Sequence, residues 1–360
     1  MFTGRQLTFG IATFIGGSSL FTVFITQISF QDSWFSLFCA LLLSLAVISV
    51  YVLLIRKFPQ KGLLEMHLAV YGKLLGRMIN LAYTLFCILF AALSFRNLGD
   101  FFTGYIMTEM PMAFALSLFA VTAVLACLSG ITAILRNSFL FFVFMASALL
   151  TNTLLLIPNM ELYNFLPMLR LGWEAYTKSA FVLSAAPFCE IIVFLILLPY
   201  ADKNADSGKS FFIGLALGGL HFLITVFRDI ATLGTALTYL EEPAYEAVRL
   251  INVMDIFSRL EILFAFTLTV MRVFKLCVLL CAILRAIEDT LGRSVKHPSI
   301  WLSVSAAGAV FLAMRLFKSG MELPEWFRTS GAWVFAVFEM ALPLLTLLLA
   351  SLFPRVRKKT

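Results

Sequence analysis

The sequence predicts an all-α polytopic membrane protein with ten transmembrane helices. Hydrophobic residues make up 61% of the 360-residue chain, charged residues only 13%, and the mean hydropathy is +0.97. A soluble domain has too little interior to bury so much apolar surface. The apolar residues form continuous runs rather than the alternating segments of a β-barrel, so each crossing is expected to be a helix.

Ten apolar runs are long enough to cross roughly 30 Å of hydrocarbon. They occupy residues 7–29, 34–55, 78–98, 112–130, 138–157, 178–199, 210–233, 260–284, 298–317 and 331–353. The amphipathic stretch 63–76 is too polar to cross and is expected to lie along the inner surface. Residues 234–259 form a long outer loop, which is expected to contain helical pieces and either to contact a partner or to cap the bundle.

Basic residues concentrate in the segments that lie on the same side as the N-terminus. The positive-inside rule therefore places both termini in the cytoplasm. The net charge of +7 follows from this topology and does not indicate a nucleic-acid partner. The basic C-terminal tail is expected to lie beside anionic membrane lipid.

Neither catalysis nor metal binding is indicated by the sequence. The six cysteines all lie in apolar runs without paired spacing, so disulfides and structural zinc are not expected. The three histidines show no ligand spacing, and no nucleotide-binding or hydrolase motif is found. We therefore expect no cofactor, no metal site and no enzymatic activity.

Two of the ten predicted spans are interrupted near mid-depth. The first contains Gly16, Gly17, Ser18 and Ser19, and the sixth contains Pro187. Glycine pairs and proline both weaken the hydrogen-bond ladder of a helix. Such residues are also common in membrane helices as packing elements, which is the alternative interpretation.

The positions of the two breaks predict an inverted repeat. The first and sixth spans are five apart, an odd number, so the second half of the bundle runs opposite to the first. Paired breaks of this kind are typical of transporters with a central site at mid-membrane. The predicted repeats are residues 1–160 and 175–360, each of five helices, within one membrane domain.

A carboxylate in the sixth span, Glu190, requires a partner within the membrane. The eighth span offers Lys275 and Arg272; Lys275 shares a helical face with Leu268 and Met271, whereas Arg272 is rotated by about 100° from Met271. We therefore predict a buried Glu190–Lys275 pair, direct or through water, where transporters hold a mobile cation. A purely structural ion pair is the alternative.

Several ordered motifs resemble the spore germination permease family. They are "RQLTFGIATFIGGSS" (5–19), "FQDSW" (30–34), "KFPQKGLLEM" (57–66), "YGKLLG" (71–76), "ELYNFLPML" (161–169), "PFCEIIVFLILLPY" (187–200) and "EEPAYEAVRLINVMDIFSRLEILF" (241–264). Members of this family are the B subunits of GerA-type nutrient receptors and distant relatives of amino-acid/polyamine/organocation transporters. Three departures are Phe30 for a usual glycine, Met110 for a threonine before Pro111, and Leu268 for a tryptophan.

The resemblance implies a ten-helix amino-acid-permease fold with a 5+5 inverted repeat, located in the inner membrane of a bacterial spore. It also implies A-type and C-type partner subunits and a small germinant, such as an amino acid, at mid-membrane. The residues expected at the ligand are Gly16, Gly17, Ser18, Phe90, Ser94, Ala185, Pro187, Phe188, Leu268 and Met271, with Glu190 and Lys275 as a substitute for a cation site.

Three functions remain open at this point. The first is a nutrient receptor subunit that signals through its partners. The second is an amino-acid or amine permease coupled to a proton or cation. The third is a structural subunit with a vestigial pocket.

Overall fold

The computed structural model describes residues 1–18, 23–251 and 260–352 of the chain. These residues form a helical bundle, and the single extended contact within the described ranges is an isolated bridge between Phe2 and Ala201. Ser19 and the tail after residue 352, both considered above, lie outside the described residues.

The helices of the first half are α1 (Gly4–Gly16), α2 (Val23–Ser29), α3 (Ser33–Lys57), α4 (Leu63–Phe101), α5 (Met112–Leu128), α6 (Ile131–Arg136) and α7 (Ser138–Leu156). Those of the second half are α8 (Trp173–Leu183), α9 (Val193–Leu197), α10 (Ser207–Leu233), α11 (Pro243–Arg249), α12 (Leu260–Leu291), α13 (Pro298–Leu316), α14 (Glu322–Trp326), α15 (Ala332–Ala336) and α16 (Leu342–Leu352). The last three follow one another through π-helical turns, so the tenth predicted span begins earlier than the sequence suggested.

Eight helical stretches of the described chain are long and apolar enough to cross a membrane. One of these, Ile25–Lys57, combines α3 with most of α2, whereas the 17-residue α5 is shorter than a typical span. The helical membrane architecture is therefore confirmed, and the number of ten crossings stays a prediction.

A kink at Gly72 divides α4 into a short helix and a long one. Gly72 has a φ of +80°, a left-handed conformation that glycine adopts without steric cost. The chain folds back at this kink, which brings the Nδ1 atom of His67 to 2.9 Å from the Oδ1 atom of Asn80. The amphipathic stretch therefore packs on the long helix, where Leu63, Leu64 and His67 are completely buried.

The first and sixth spans run antiparallel, in agreement with the inverted repeat. The N–H of Phe2, before the first span, donates to the carbonyl of Tyr200 at the end of the sixth span (3.0 Å). The same end of the bundle holds the short helix before Gly72, because Glu65 accepts from Arg285 at 2.7 Å and Arg285 lies over the ring of Tyr200.

Glycines on α10 allow the close approach of α1. A Cβ atom at Gly214 would lie 2.7 Å from the side chain of Ile11, and one at Gly218 would lie 2.8 Å from that of Ile15. Both distances are shorter than van der Waals contact, so larger residues would force the helices apart. The "GLALGGL" stretch is thus a packing surface, as small residues are in many membrane helices.

One departure from the family pattern lies in a strained turn. Phe30, which replaces a usual glycine, connects α2 to α3 with a φ of +48°. A left-handed backbone costs a residue with a Cβ roughly 1–2 kcal/mol. The turn is secured by neighbouring Asp32, whose carboxylate accepts from the N–H of Leu169 (2.9 Å) and the hydroxyl of Tyr176 (2.8 Å).

Candidate functional site at the paired helix breaks

The break in the first span places a buried serine at mid-bundle. α1 ends at Gly16, and the N–H groups of Gly17 and Ser18 donate to the carbonyls of Thr13 (2.9 Å) and Ile15 (2.8 Å). A Cβ atom at Gly17 would lie 2.9 Å from the carbonyl oxygen of Met271 on α12. Glycine at this position therefore lets the break lie directly against α12, with the Ser18 side chain buried.

The sixth span is irregular over its whole middle third. α8 is followed by a π-helical turn (Ser184–Phe188), a 3₁₀ turn (Cys189–Ile192) and then α9. Ala186 has extended backbone angles just before Pro187, which lacks an N–H and cannot continue an α-helical ladder. This irregular segment directs Glu190 inward, where 1% of its surface is exposed.

The two breaks and α12 meet in one hydrogen-bonded cluster, which we call the break cluster: Ser18, Glu190 and Lys275. Lys275 Nζ lies 2.6 Å from Glu190 Oε2 and also donates to the hydroxyl oxygen of Ser18. The Ser18 hydroxyl donates to the same Glu190 oxygen at 3.2 Å. The second carboxylate oxygen, Oε1, has no hydrogen-bond partner among the described residues.

Two phenylalanine rings enclose the ammonium group of Lys275. Its Nζ atom lies 5.1 Å from the ring centre of Phe14 and 4.8 Å from that of Phe90. Cation–π contacts of this kind contribute about 0.5–2 kcal/mol when they are desolvated. The rings also shield the Glu190–Lys275 pair, so its electrostatic attraction is not weakened by water.

A small cavity adjoins the break in the first span. Its volume is about 20 Å³, enough for about one water molecule. Gly16, Leu268 and Met271, all predicted from the sequence, contribute to its wall. Its polar lining comes from three residues not predicted at the ligand: His221, Thr225 and Thr267.

The remaining predicted ligand residues are buried but do not all meet at one point. Ser94 lies one turn beyond Phe90 on α4, and its hydroxyl has no partner in the described chain. Ala185 and Pro187 lie within the π-helical turn, whereas the ring of Phe188 packs against Phe222 of α10, with ring centres 5.8 Å apart. The ligand-binding roles of these residues remain predictions.

Some residues of the site could have been found from their spacing. His221 and Thr225 continue the face of α10 that Gly214 and Gly218 present to α1, at intervals of three, four and seven residues. Phe14 precedes Ser18 by one turn, but its ring could not be distinguished from lipid-facing rings in so aromatic a chain. Arg272, the alternative partner considered for Glu190, donates instead to the carbonyl of Asn97 at 2.8 Å.

The described part of the loop between the seventh and eighth predicted spans, residues 234–251, packs against the bundle. Its helix α11 packs in a second apolar cluster with Phe101, Leu156 and Phe264. Phe264 and Leu268 belong both to this cluster and to the cavity wall, so the cluster adjoins the cavity. Burial raises the pKa of Glu242, just before α11, well above its ordinary value, and nearby Arg272 opposes this shift.

This arrangement, with two inverted helix breaks joined at mid-bundle, defines an integral membrane protein of the transporter type. A family model described as "Spore germination protein" matches residues 2–320. The chain therefore belongs to the spore germination permease family.

Two individual proteins are similar to this chain along its whole length. Spore germination protein KB of Bacillus subtilis (strain 168) is 23% identical over 361 residues, which cover 99% of this chain and 96% of the relative. The structure of Mhp1, a nucleobase-cation-symport-1 family transporter in a closed conformation with bromovinylhydantoin bound, matches with a TM-score of 0.71 at 12% identity. That match covers 100% of this chain and 80% of the transporter, and it confirms the fold.

Proposed function

We propose that this protein is a nutrient receptor subunit, and not an enzyme, that binds an amino acid between its two helix breaks. The proposed location is the inner membrane of the spore, with both termini in the cytoplasm. The observation that carries the proposal is the break cluster, in which side chains from both breaks and α12 share one buried ion pair.

An amino-acid zwitterion is the ligand that can separate this ion pair at the lowest cost in free energy. Separating Lys275 from Glu190 would leave two buried charges, each costing several kcal/mol. A zwitterion offers a carboxylate to Lys275 and an ammonium to Glu190, whose Oε1 has no protein partner in the described chain. A neutral sugar or a simple amine would leave at least one of the two charges uncompensated.

Binding requires a second arrangement of the bundle, because the cavity beside Gly16 is far too small for an amino acid. A ligand shifts the population toward the arrangement that it binds better. Separation of the two breaks would move α1 and the sixth span relative to α12. Partner subunits of the A and C types, which the family resemblance implies, would receive this movement as the germination signal.

The alternative function is a permease that moves an amino acid or amine together with a proton or cation. The similarity of the fold to a cation-coupled transporter favours this alternative. Lys275 favours the receptor, because its ammonium is fixed to the chain and already pairs with Glu190, whereas a coupled transporter must release its cation.

A thermal-shift screen on the purified protein in lipid nanodiscs tests the proposal. The screen uses the twenty amino acids, their amides, small amines, sugars and nucleosides. A ligand present at 100 times its Kd stabilises the folded state by about 2.7 kcal/mol. We expect a shift with one or a few amino acids, a smaller one with the matching amides, and none in Glu190→Gln.

Proteoliposome uptake of the same amino acid distinguishes the two functions. Binding without accumulation inside the vesicles supports a receptor, whereas accumulation driven by a proton or cation gradient supports a permease. A shift with sugars or nucleosides, but with no amino acid, would contradict both forms of the proposal.

A further inference from the structure

Glu339 in the tenth predicted span is a second buried carboxyl group close to the break cluster. None of its surface is exposed, and neither carboxyl oxygen has a hydrogen-bond partner within the described part of the chain. An ionised carboxylate without donors is too costly to keep in an apolar interior, and such groups are neutralised instead. This carboxyl group therefore lies inside the bundle.

The backbone around Glu339 directly adjoins the break in the sixth span. The hydroxyl of Tyr51 on α3 lies 2.5 Å from the carbonyl oxygen of Glu339 and 3.3 Å from that of Cys189. The Tyr51 hydroxyl group thus joins Cys189, the residue before Glu190, to the π-helical turn Val337–Ala341. Interruptions of this kind are frequent at functional sites.

The hydroxyl groups of Tyr51 and Tyr83 do not stabilise a negative charge on Glu339. The proton of Tyr51 is directed at the two carbonyls just described, and the hydroxyl of Tyr83 on α4 donates to the carbonyl of Phe338 at 2.5 Å. Both tyrosines therefore hold the main chain of the π-helical turn, and the carboxyl group receives neither proton.

Charge balance in this region also requires one additional positive charge. Among the described residues, the titratable groups that interact electrostatically with Glu339 are Glu190, Lys275, Cys189, Tyr51, Tyr83 and Cys87. Lys275 is the single cation among these groups, and it forms an ion pair with Glu190. With both carboxylates ionised, the region would carry a net negative charge without water to screen it.

We propose that Glu339 is a proton-binding residue, which holds a proton while the break cluster is closed. Release of the proton requires the π-helical turn or the sixth-span break to move and supply a donor or water. This proposal does not depend on the identity of any small-molecule ligand.

Infrared spectroscopy of the full chain in lipid nanodiscs at neutral pH tests the proposal. We expect C=O stretching absorption from protonated carboxyl groups that shifts in D₂O, and we expect the component that Glu339 contributes to be lost in Glu339→Gln. Glu325→Gln is the matched control: Glu325 lies in the same segment, but 62% of its side chain is exposed and it pairs with Arg328. This control should keep the band unchanged.

Glu339→Asp is the second variant, for the case that the glutamine variant does not fold. It retains a carboxyl group in a slightly different place, so the band should move and not vanish. Identical spectra for wild type and a folded Glu339→Gln variant would overturn the proposal. Loss of the wild-type band on addition of Na⁺ or K⁺ at constant pH would also overturn it, because the site would then hold a metal cation.

Discussion

Replacement of Lys275 by methionine is the sharpest test of the break cluster. Methionine has a similar length and retains the apolar contacts with Phe14 and Phe90, but it removes the ammonium from Glu190. The carboxylate would remain 1% exposed with the hydroxyl of Ser18 as its hydrogen-bond donor in the described chain. Removal of one partner of a buried ion pair costs about 3–5 kcal/mol, and we expect a loss of unfolding free energy in this range.

The double variant Lys275→Met, Glu190→Gln separates the ion pair from general packing. Replacement of both charged partners by neutral groups is often close to neutral in stability. We therefore expect the double variant to be more stable than Lys275→Met alone. Lys178→Met, at an exposed position of α8, is the matched control and should change stability by less than about 0.5 kcal/mol.

Reversible unfolding in mixed micelles titrated with SDS measures these differences. A cost below about 1 kcal/mol for Lys275→Met would show that no buried charge loses its partner in this variant. A cost of the double variant equal to the sum of the two single costs would show that the two charges do not interact.

Three further predictions concern the packing, the outer loop and the aromatic enclosure. Gly218→Ala should destabilise the bundle by about 1–3 kcal/mol, because its Cβ would lie 2.8 Å from Ile15. Gly308→Ala, whose Cβ would have no atom within 4 Å, should be neutral or stabilising in the same unfolding assay. Because the pKa of Glu242 is raised in the folded protein, the protonated carboxyl group favours the docked loop. This stabilisation is complete at a pH below the ordinary pKa of a glutamate and is lost as the pH rises through the raised pKa. In the wild type, hydrogen exchange in α11 should therefore increase with pH more steeply than the intrinsic exchange rate does, and this excess should be absent in Glu242→Gln. Equal pH dependence in the two proteins would contradict the prediction. Phe14→Leu should cost about 0.5–2 kcal/mol from the lost cation–π contact and less when combined with Lys275→Met, and equal costs in both backgrounds would exclude that contact.

The main features of the site could be predicted because a membrane interior tolerates few polar groups. Glu190 and Lys275 are among the few charged residues in long apolar runs, and each requires a partner, so their pairing follows from electrostatics. The breaks could be predicted because glycine and proline act on the local helix, whatever surrounds it. Antiparallel first and sixth spans then follow from counting.

Other features depend on tertiary contacts that spacing does not contain. The fold-back at Gly72 depends on a positive φ that glycine permits but does not require, and it buries His67 against Asn80. The position of Glu339 depends on how the tenth span rotates against α3 and α4, where Tyr51 and Tyr83 hold its backbone. The sequence shows one carboxylate in an apolar run, and this pattern does not predict which neighbouring helix the carboxylate faces.

Equilibrium binding to the Gly16→Ala variant shows whether an amino acid binds beside the paired breaks. A Cβ atom at Gly16 would lie 2.1 Å from the sulfur of Met145 at the cavity wall, so the cavity would be filled or its wall displaced. With the amino acid that gives the largest thermal shift, we expect affinity to fall at least about tenfold, or 1.4 kcal/mol. Gly308→Ala, on a helix surface without neighbours, should bind as wild type does. Equal affinity in wild type and a folded Gly16→Ala variant would mean that the ligand binds elsewhere and not at the paired breaks.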